Sequence, residues 1–162
     1  MENKINVIDW NKFNEIILNL ANEIKKDYKP DIILSVVRGG MIPSVLLSHK
    51  LEVREVENII VEETEDDSIN ARKHLPIIQN SNNLSSINNK KILIVDDILG
   101  SGQTIKILKK EIYKFKPKEI KTVVCFVNRI NWNKSNDENY YNLIDYVGEE
   151  LKGWVIFPWE NK

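Results

Sequence analysis

Ile92-Leu93-Ile94-Val95-Asp96-Asp97-Ile98-Leu99-Gly100-Ser101-Gly102-Gln103-Thr104 is the stretch on which the reading of this chain turns. Four aliphatic residues, Ile92 to Val95, form the kind of short apolar run that a strand buried on both faces requires. Two adjacent carboxylates follow, then two glycines interleaved with a serine, a glutamine and a threonine. Beyond them Ile105, Leu108, Ile112 and Phe115 recur at helical spacing, and Pro117 stops the pattern. Glycine lets backbone N–H groups approach an anion closely, hydroxyls add donors, and a helix N-terminus adds a favourable dipole. Carboxylates next to such a site repel phosphate unless they hold sugar hydroxyls or a divalent cation. Residues 96–104 therefore read as a loop that cradles a sugar bearing phosphates. No Gly-Lys-Ser/Thr step is present, so this is not a P-loop. A capped strand end, or the acidic pocket of a phospho-receiver domain, accounts for the acid pair alone but not for the pair together with Gly-Ser-Gly-Gln-Thr.

Toward the N-terminus, Asp9 is placed to cap a helix whose face carries Phe13, Ile16, Ile17, Leu20 and Ile24. Residues 31–37 read as a second buried strand, and Arg38-Gly39-Gly40 as a tight turn into a helix with Met41, Val45 and Leu46 on its apolar side. Residues 58–61 are a further strand. Between 62 and 89 the chain turns polar, with Glu62-Glu63, Glu65-Asp66-Asp67 and many Asn and Ser; this predicts a long irregular flap. Toward the C-terminus, 120–127 and 144–147 are apolar strands. Strands alternating with helices predict an α/β fold, a twisted parallel sheet flanked by helices, in a single domain over 1–162 with ligands at the carboxyl ends of the strands.

The composition limits the function classes. Of 162 residues, 42% are hydrophobic, enough for one core, and the formal net charge is −1, which argues against nucleic acid or anionic membrane as partners. The single cysteine, Cys125, lies in an apolar run, has no internal partner and reads as a buried thiol,. The opening Met1-Glu2-Asn3-Lys4 lacks an apolar signal region and no segment has transmembrane length, so a cytoplasmic location is expected.

The central segment resembles the 5-phosphoribosyl-1-pyrophosphate signature of type I phosphoribosyltransferases: four apolar residues, two acids, a short spacer, then Ser/Thr-Gly-x-Thr. The resemblance implies that Asp96 and Asp97 hold the ribose 2′- and 3′-hydroxyls, with Gly100, Ser101, Gly102, Gln103 and Thr104 around the 5′-phosphate. It also implies a Mg²⁺ ion carried largely by the donor and water, with Asp97 as its protein contact. Val37-Arg38-Gly39-Gly40-Met41-Ile42-Pro43-Ser44-Val45-Leu46-Leu47 is similar to the pyrophosphate loop of bacterial xanthine-guanine phosphoribosyltransferases. Arg38 would fork onto phosphate oxygens, and the amides of Gly39 and Gly40 would face the same anion. In that family the peptide before the basic residue is often cis, which makes Val37-Arg38 a candidate. Asp96, Asp97 and Arg38 are the catalytic candidates.

Gly153-Trp154-Val155-Ile156-Phe157-Pro158-Trp159-Glu160 resembles the base-covering strand of the same enzymes, within a hood at about 148–162. There Trp154 would stack on the nucleobase and the backbone of Val155 would read its edge, while Trp159 packs the hood. Two positions depart from the 6-oxopurine enzymes: Gly100 stands where they carry an aspartate that acts as general base, and Asn128 where they carry a lysine that contacts the 6-oxo group. Asn128 still offers a donor and an acceptor to a base edge. The implied activity is transfer of the 5-phosphoribosyl group to a nucleobase, a purine first, in nucleotide salvage. A donor-binding module without transfer is the alternative. Members of this family are commonly homo-oligomers, and the same is expected here.

Overall fold

The computed structural model of the protein describes residues 4–64, 73–80, 84, 86–135 and 139–160. Asp9 caps α1 (Trp10–Asp27), its carboxylate accepting the Lys12 amide at 2.8 Å. Phe13, Ile16, Ile17, Leu20, Ala21 and Ile24 form the buried stripe of this helix. The chain continues through β2 (Ile32–Val37), α2 (Met41–Leu51), β3 (Glu55–Thr64), β4 (Lys73–Ile78), β5 (Lys91–Leu99), α3 (Gln103–Tyr113) and β6 (Glu119–Asn128). After α4 (Arg129–Ser135) and a 3₁₀ turn (Tyr140–Asn142) come β7 (Tyr146–Leu151) and β8 (Trp154–Ile156), the latter paired in parallel with β1 (Ile5–Val7).

The main sheet has the order β4-β3-β2-β5-β6-β7 and is parallel except where β4 runs against β3. The period of two along β5 separates two cores. Leu93 and Val95 point to α1 and α2, while Ile92 and Ile94 point to α3 and Trp132,. The chain leaves β2 toward β3 on one side and β5 toward β6 on the other. The sheet therefore reverses its order between β2 and β5, and a crevice opens at their carboxyl ends,.

The structure departs from the sequence reading in several places, the strand expected at 144–147 among them, which runs over Tyr146–Leu151 instead. β5 does not stop at Val95 but runs on to Leu99, because Asp96, Ile98 and Leu99 pair with Val124, Phe126 and Val127 of β6. The polar stretch expected to be irregular continues β3 to Thr64 and then supplies β4, with Val61 opposite Ile78 and Glu62 opposite Ile77. An edge pair exposed to water needs no apolar pattern, so its strands hid in polar sequence. Leu84 and Ile87 are buried under α3, while 65–72, 81–83 and 85 lie outside the described residues.

Further, α2 buries Pro43, Ser44 and Leu47, leaving Met41 and Val45 exposed. The cause is Gly40: a β carbon there would run into the carbonyl oxygens of Val36 and Val95. Its close contact with the sheet turns positions three, four and seven residues further on inward. Finally, residues 5–7, which carry no strand signal of their own, form β1. The β1–β8 pair is pinned to α1 by rings: Trp159 stacks on Phe157 at 4.6 Å and meets the edge of Phe13 at 4.9 Å.

Candidate functional site

Ser35 of β2 stands opposite Val95 of β5, so the ends of these strands arrive side by side. The peptide between Val37 and Arg38 is cis. The Gly40 amide donates to Val36 O at 2.8 Å and the Met41 amide to Arg38 O at 3.1 Å, which closes the turn. Gly40 therefore does not present its N–H to an anion, contrary to the sequence reading; Arg38 and Gly39 remain the residues at the mouth of the crevice. A β carbon on Gly39 would collide with the Asp97 carboxylate. The two loops meet at that contact.

Asp96 accepts the Asp97 amide at 3.0 Å through Oδ1. Burial pushes the Asp97 carboxyl up to about 6, and the charge of Glu160 pushes the same way; the backbone amide of Ile98 and the Asp96 side chain oppose them. Glu160 lies in the C-terminal segment, where its Oε2 accepts the Phe157 amide at 2.9 Å. Nothing in its local sequence marks it, since a terminal surface acid is ordinarily just solvated.

The loop after β5 is shorter than expected, Gly100 to Gly102, because α3 already begins at Gln103. Gln103 and Thr104 thus sit in the first turn, where N–H groups have no partner within the helix and no acidic residue competes. The Gln103 amide points to Ser101 Oγ at 3.4 Å. Gly102 has φ +80°, and a β carbon on it would lie 2.7 Å from Cζ3 of Trp132 and 3.0 Å from Cδ2 of Leu143. Only glycine satisfies both the left-handed backbone and that close support.

Trp154 is half-buried, and among the described residues its indole is in contact with no other ring, unlike those of Trp10, Trp132 and Trp159. Val155 turns its side chain into the core. The Trp154 amide donates to Lys4 O at 2.8 Å and the Ile8 amide to Ile156 O at 2.9 Å. In a parallel ladder alternate residues bond to a given neighbour. Trp154 and Ile156 are the ones bonded to β1, so the N–H and C=O of Val155 point to the open edge of β8.

Asn128 is 7% exposed, and both its polar atoms are engaged. Nδ2 donates to Gly153 O at 2.8 Å, while Oδ1 faces the Ile130 and Asn131 amides at 3.2 and 3.4 Å. Through these bonds the residue caps α4 and holds the loop before Trp154, and the second hydrogen on Nδ2 is the group with which it would read a base edge,. Arg129, next to it, is engaged with Glu150 at 3.3 Å and lies 5.8 Å from the centre of the Tyr140 ring. Asn6, which the sequence did not single out, donates to Lys152 O at 2.9 Å and Trp154 O at 3.1 Å.

The family model for the phosphoribosyl transferase domain matches residues 6–160. The chain belongs to the phosphoribosyl transferase family. It is 23% identical over 153 residues to a xanthine-guanine phosphoribosyltransferase of Idiomarina loihiensis, covering 94% of this chain and 85% of the relative. It is 30% identical over 152 residues to the human phosphoribosyltransferase domain-containing protein 1, covering 86% of this chain and 64% of that protein. Among solved structures, a purine phosphoribosyltransferase from Pyrococcus horikoshii superimposes with a TM-score of 0.73 at 27% identity, over 98% of this chain and 95% of the other. A Neisseria gonorrhoeae protein solved with bound ppGpp shares the fold at a TM-score of 0.79 and 19% identity, over 99% and 92% of the two chains.

In this phosphoribosyl transferase chain, no three carboxylate, imidazole or thiol groups among the described residues converge into a metal cage. Asp96 and Asp97 at the strand end are hard oxygen donors of the kind Mg²⁺ takes, and Mg²⁺ is ordinarily held by one or two carboxylates plus substrate phosphates and water. The residues present fit that mode of binding. No helix among the described residues is long and apolar enough to cross a membrane.

Proposed function

We propose that the protein transfers the 5-phosphoribosyl group from 5-phosphoribosyl-1-pyrophosphate to a nucleobase, a purine first, with release of pyrophosphate. The observation that carries this reading is the meeting of Gly39 and Asp97, which brings the Arg38 turn and the Gly100–Gly102 loop together at the reversal point of the sheet. The 5′-phosphate sits over Gly102 and the first turn of α3. Asp96 and Asp97 accept the ribose hydroxyls, and Arg38 with the Gly39 amide faces the diphosphate. The bond from C1′ to the diphosphate oxygen breaks with its electron pair on the leaving group. A ring nitrogen of the base then bonds to C1′ and gives its proton to solvent.

Asp97 would hold Mg²⁺ together with the donor's diphosphate, and the ion would offset the charge of the leaving group. Arg38 and the loop amides do the same from fixed positions, which is how preorganised donors accelerate such a step. Trp154 offers a flat face for stacking, and the outward amide and carbonyl of Val155 read the base edge. The strand pair β3–β4 acts as a flap that excludes water, a competing nucleophile.

The direct test supplies labelled donor, Mg²⁺ and a panel of purine and pyrimidine bases, and measures pyrophosphate release and nucleotide formation. Base-dependent release is the expected result; no release with any base sinks the transferase reading. Gly100 favours one alternative, a donor-binding module without transfer, because glycine cannot serve as general base. Calorimetry with donor and Mg²⁺ separates the two, since the module binds without turnover.

A further inference from the structure

Asn128 occupies a junction. Its Nδ2 holds Gly153 O at 2.8 Å, immediately before Trp154, and its Oδ1 faces the first amides of α4. Three residues into α4, Trp132 is 3% exposed and stands directly beneath Gly102 of the phosphate loop. Trp132 is held in turn by Tyr140, edge-on at 6.2 Å. One asparagine is thus bonded to the loop that presents the base-covering residues and, through the first turn of α4, to the residue that supports the phosphate loop.

We propose that Asn128 is a positioning residue that couples the two halves of the site: it fixes where Trp154 and Val155 stand relative to the loop 100–104. This rests on the assignment of those two halves to base and phosphoribosyl donor. The coupling has a physical basis at each link. A buried asparagine with its donor and acceptor both engaged has one orientation, since turning it by 180° about its last torsion sets amide against amide and carbonyl against carbonyl. Gly153, its partner, has φ +99°, and a β carbon there would collide with Lys4 O. The loop therefore cannot drift without losing the Asn128 bond. Gly102 rests on Trp132 with no space between, so a shift of α4 reaches the phosphate loop.

Two substitutions take the junction apart. Asn128→Asp keeps an acceptor for the α4 amides and loses the donor to Gly153 O; Asn128→Ala loses both. In Asn128→Asp the proposal expects KM to rise about three- to tenfold for every base alike, the range that one net hydrogen bond commands, with donor affinity held. In Asn128→Ala donor affinity falls by a similar factor as well. Hydrogen exchange on the ligand-free proteins reads the same links without any activity. Asn128→Ala should speed exchange at both 153–156 and 100–104, and Asn128→Asp at 153–156 alone.

If Asn128 touches the base itself, Asn128→Asp changes the ranking of bases instead of raising KM uniformly, and the proposal falls. If Asn128→Ala speeds exchange only within 129–135, the residue is a helix cap and nothing more. A wild-type protein that binds no donor overturns the assignment of the site, while the exchange pattern still decides whether Asn128 links the two loops.

Discussion

Gly39 lies against the carboxylate of Asp97 with no room for a side chain between them. The contact joins two loops that are 58 residues apart in sequence, and it follows from the register that sets Ser35 opposite Val95. A methyl group at position 39 displaces the carboxylate, which is the mobile partner, more readily than either strand. We therefore expect Gly39→Ala to leave the melting temperature within a few degrees of wild type while weakening 5-phosphoribosyl-1-pyrophosphate binding about tenfold to a hundredfold. That is the range for losing a hydrogen bond to a charged group. Calorimetric titration with donor and Mg²⁺, beside a thermal melt, checks both halves.

Asp97 also predicts a pH dependence. Burial raises its carboxyl to about 6 from an ordinary 3.8, so the folded protein holds this proton more tightly than the unfolded chain does. The contribution to stability is complete below about pH 4 and is lost as pH rises through about 6. Sugar hydroxyls donate to the ionised form, so donor affinity should change in the opposite sense and fall as pH drops through about 6. Asp97→Asn removes both effects. Near pH 8 it should melt higher than wild type, by a margin corresponding to at most roughly 3 kcal/mol, and bind donor weakly at every pH. A melting curve for Asp97→Asn that follows wild type from pH 4 to 8 would contradict this account.

Much of the candidate site was legible because its residues are close together in sequence. The acid pair, the glycines and the start of a helix stand within nine residues, 96–104, and the strand before them is purely aliphatic. What stayed hidden depends on partners distant in sequence. β5 extends past the acids only because β6 lies beside it, and carboxylates next to a backbone ladder carry no strand signal of their own. The exposed side of α2 could not be told from its composition, since the helix is apolar nearly all round and the contact at Gly40 alone decides its rotation. Asn128 offered donor and acceptor on paper. That one of its amide hydrogens goes to Gly153 and its oxygen to the start of α4 required the fold.

In the proposed reading Trp154 serves base binding alone. Its indole lacks an aromatic neighbour among the described residues, while Phe157 and Trp159 pack the hood onto α1 without it. Stacking on an aromatic side chain contributes about 1–3 kcal/mol per base. Trp154→Ala should then raise KM for the base roughly tenfold to a hundredfold and leave donor affinity unchanged, whereas Trp154→Phe keeps most of the binding. Steady-state kinetics with base and donor varied separately decides it; equal losses for both substrates would place Trp154 in packing instead.

Gly100 allows the opposite kind of experiment, a gain of function. It stands at the loop entrance directly after β5, and the glycines with positive φ are Gly102 and Gly153. An aspartate at position 100 therefore meets no left-handed strain. A positioned general base contributes about a hundredfold to ten-thousandfold to a proton-transfer step. If proton removal from a 6-oxopurine limits turnover, Gly100→Asp should raise kcat for hypoxanthine or guanine by at least about tenfold and give the rate profile a new acidic limb, as the added carboxyl must be ionised to act. Donor KM, measured alongside, reads any repulsion between the added carboxylate and the 5′-phosphate, since the amides of Gly102 and the start of α3 are untouched. An unchanged kcat with an unchanged pH profile would mean that the step limiting turnover lies elsewhere, in closure or product release.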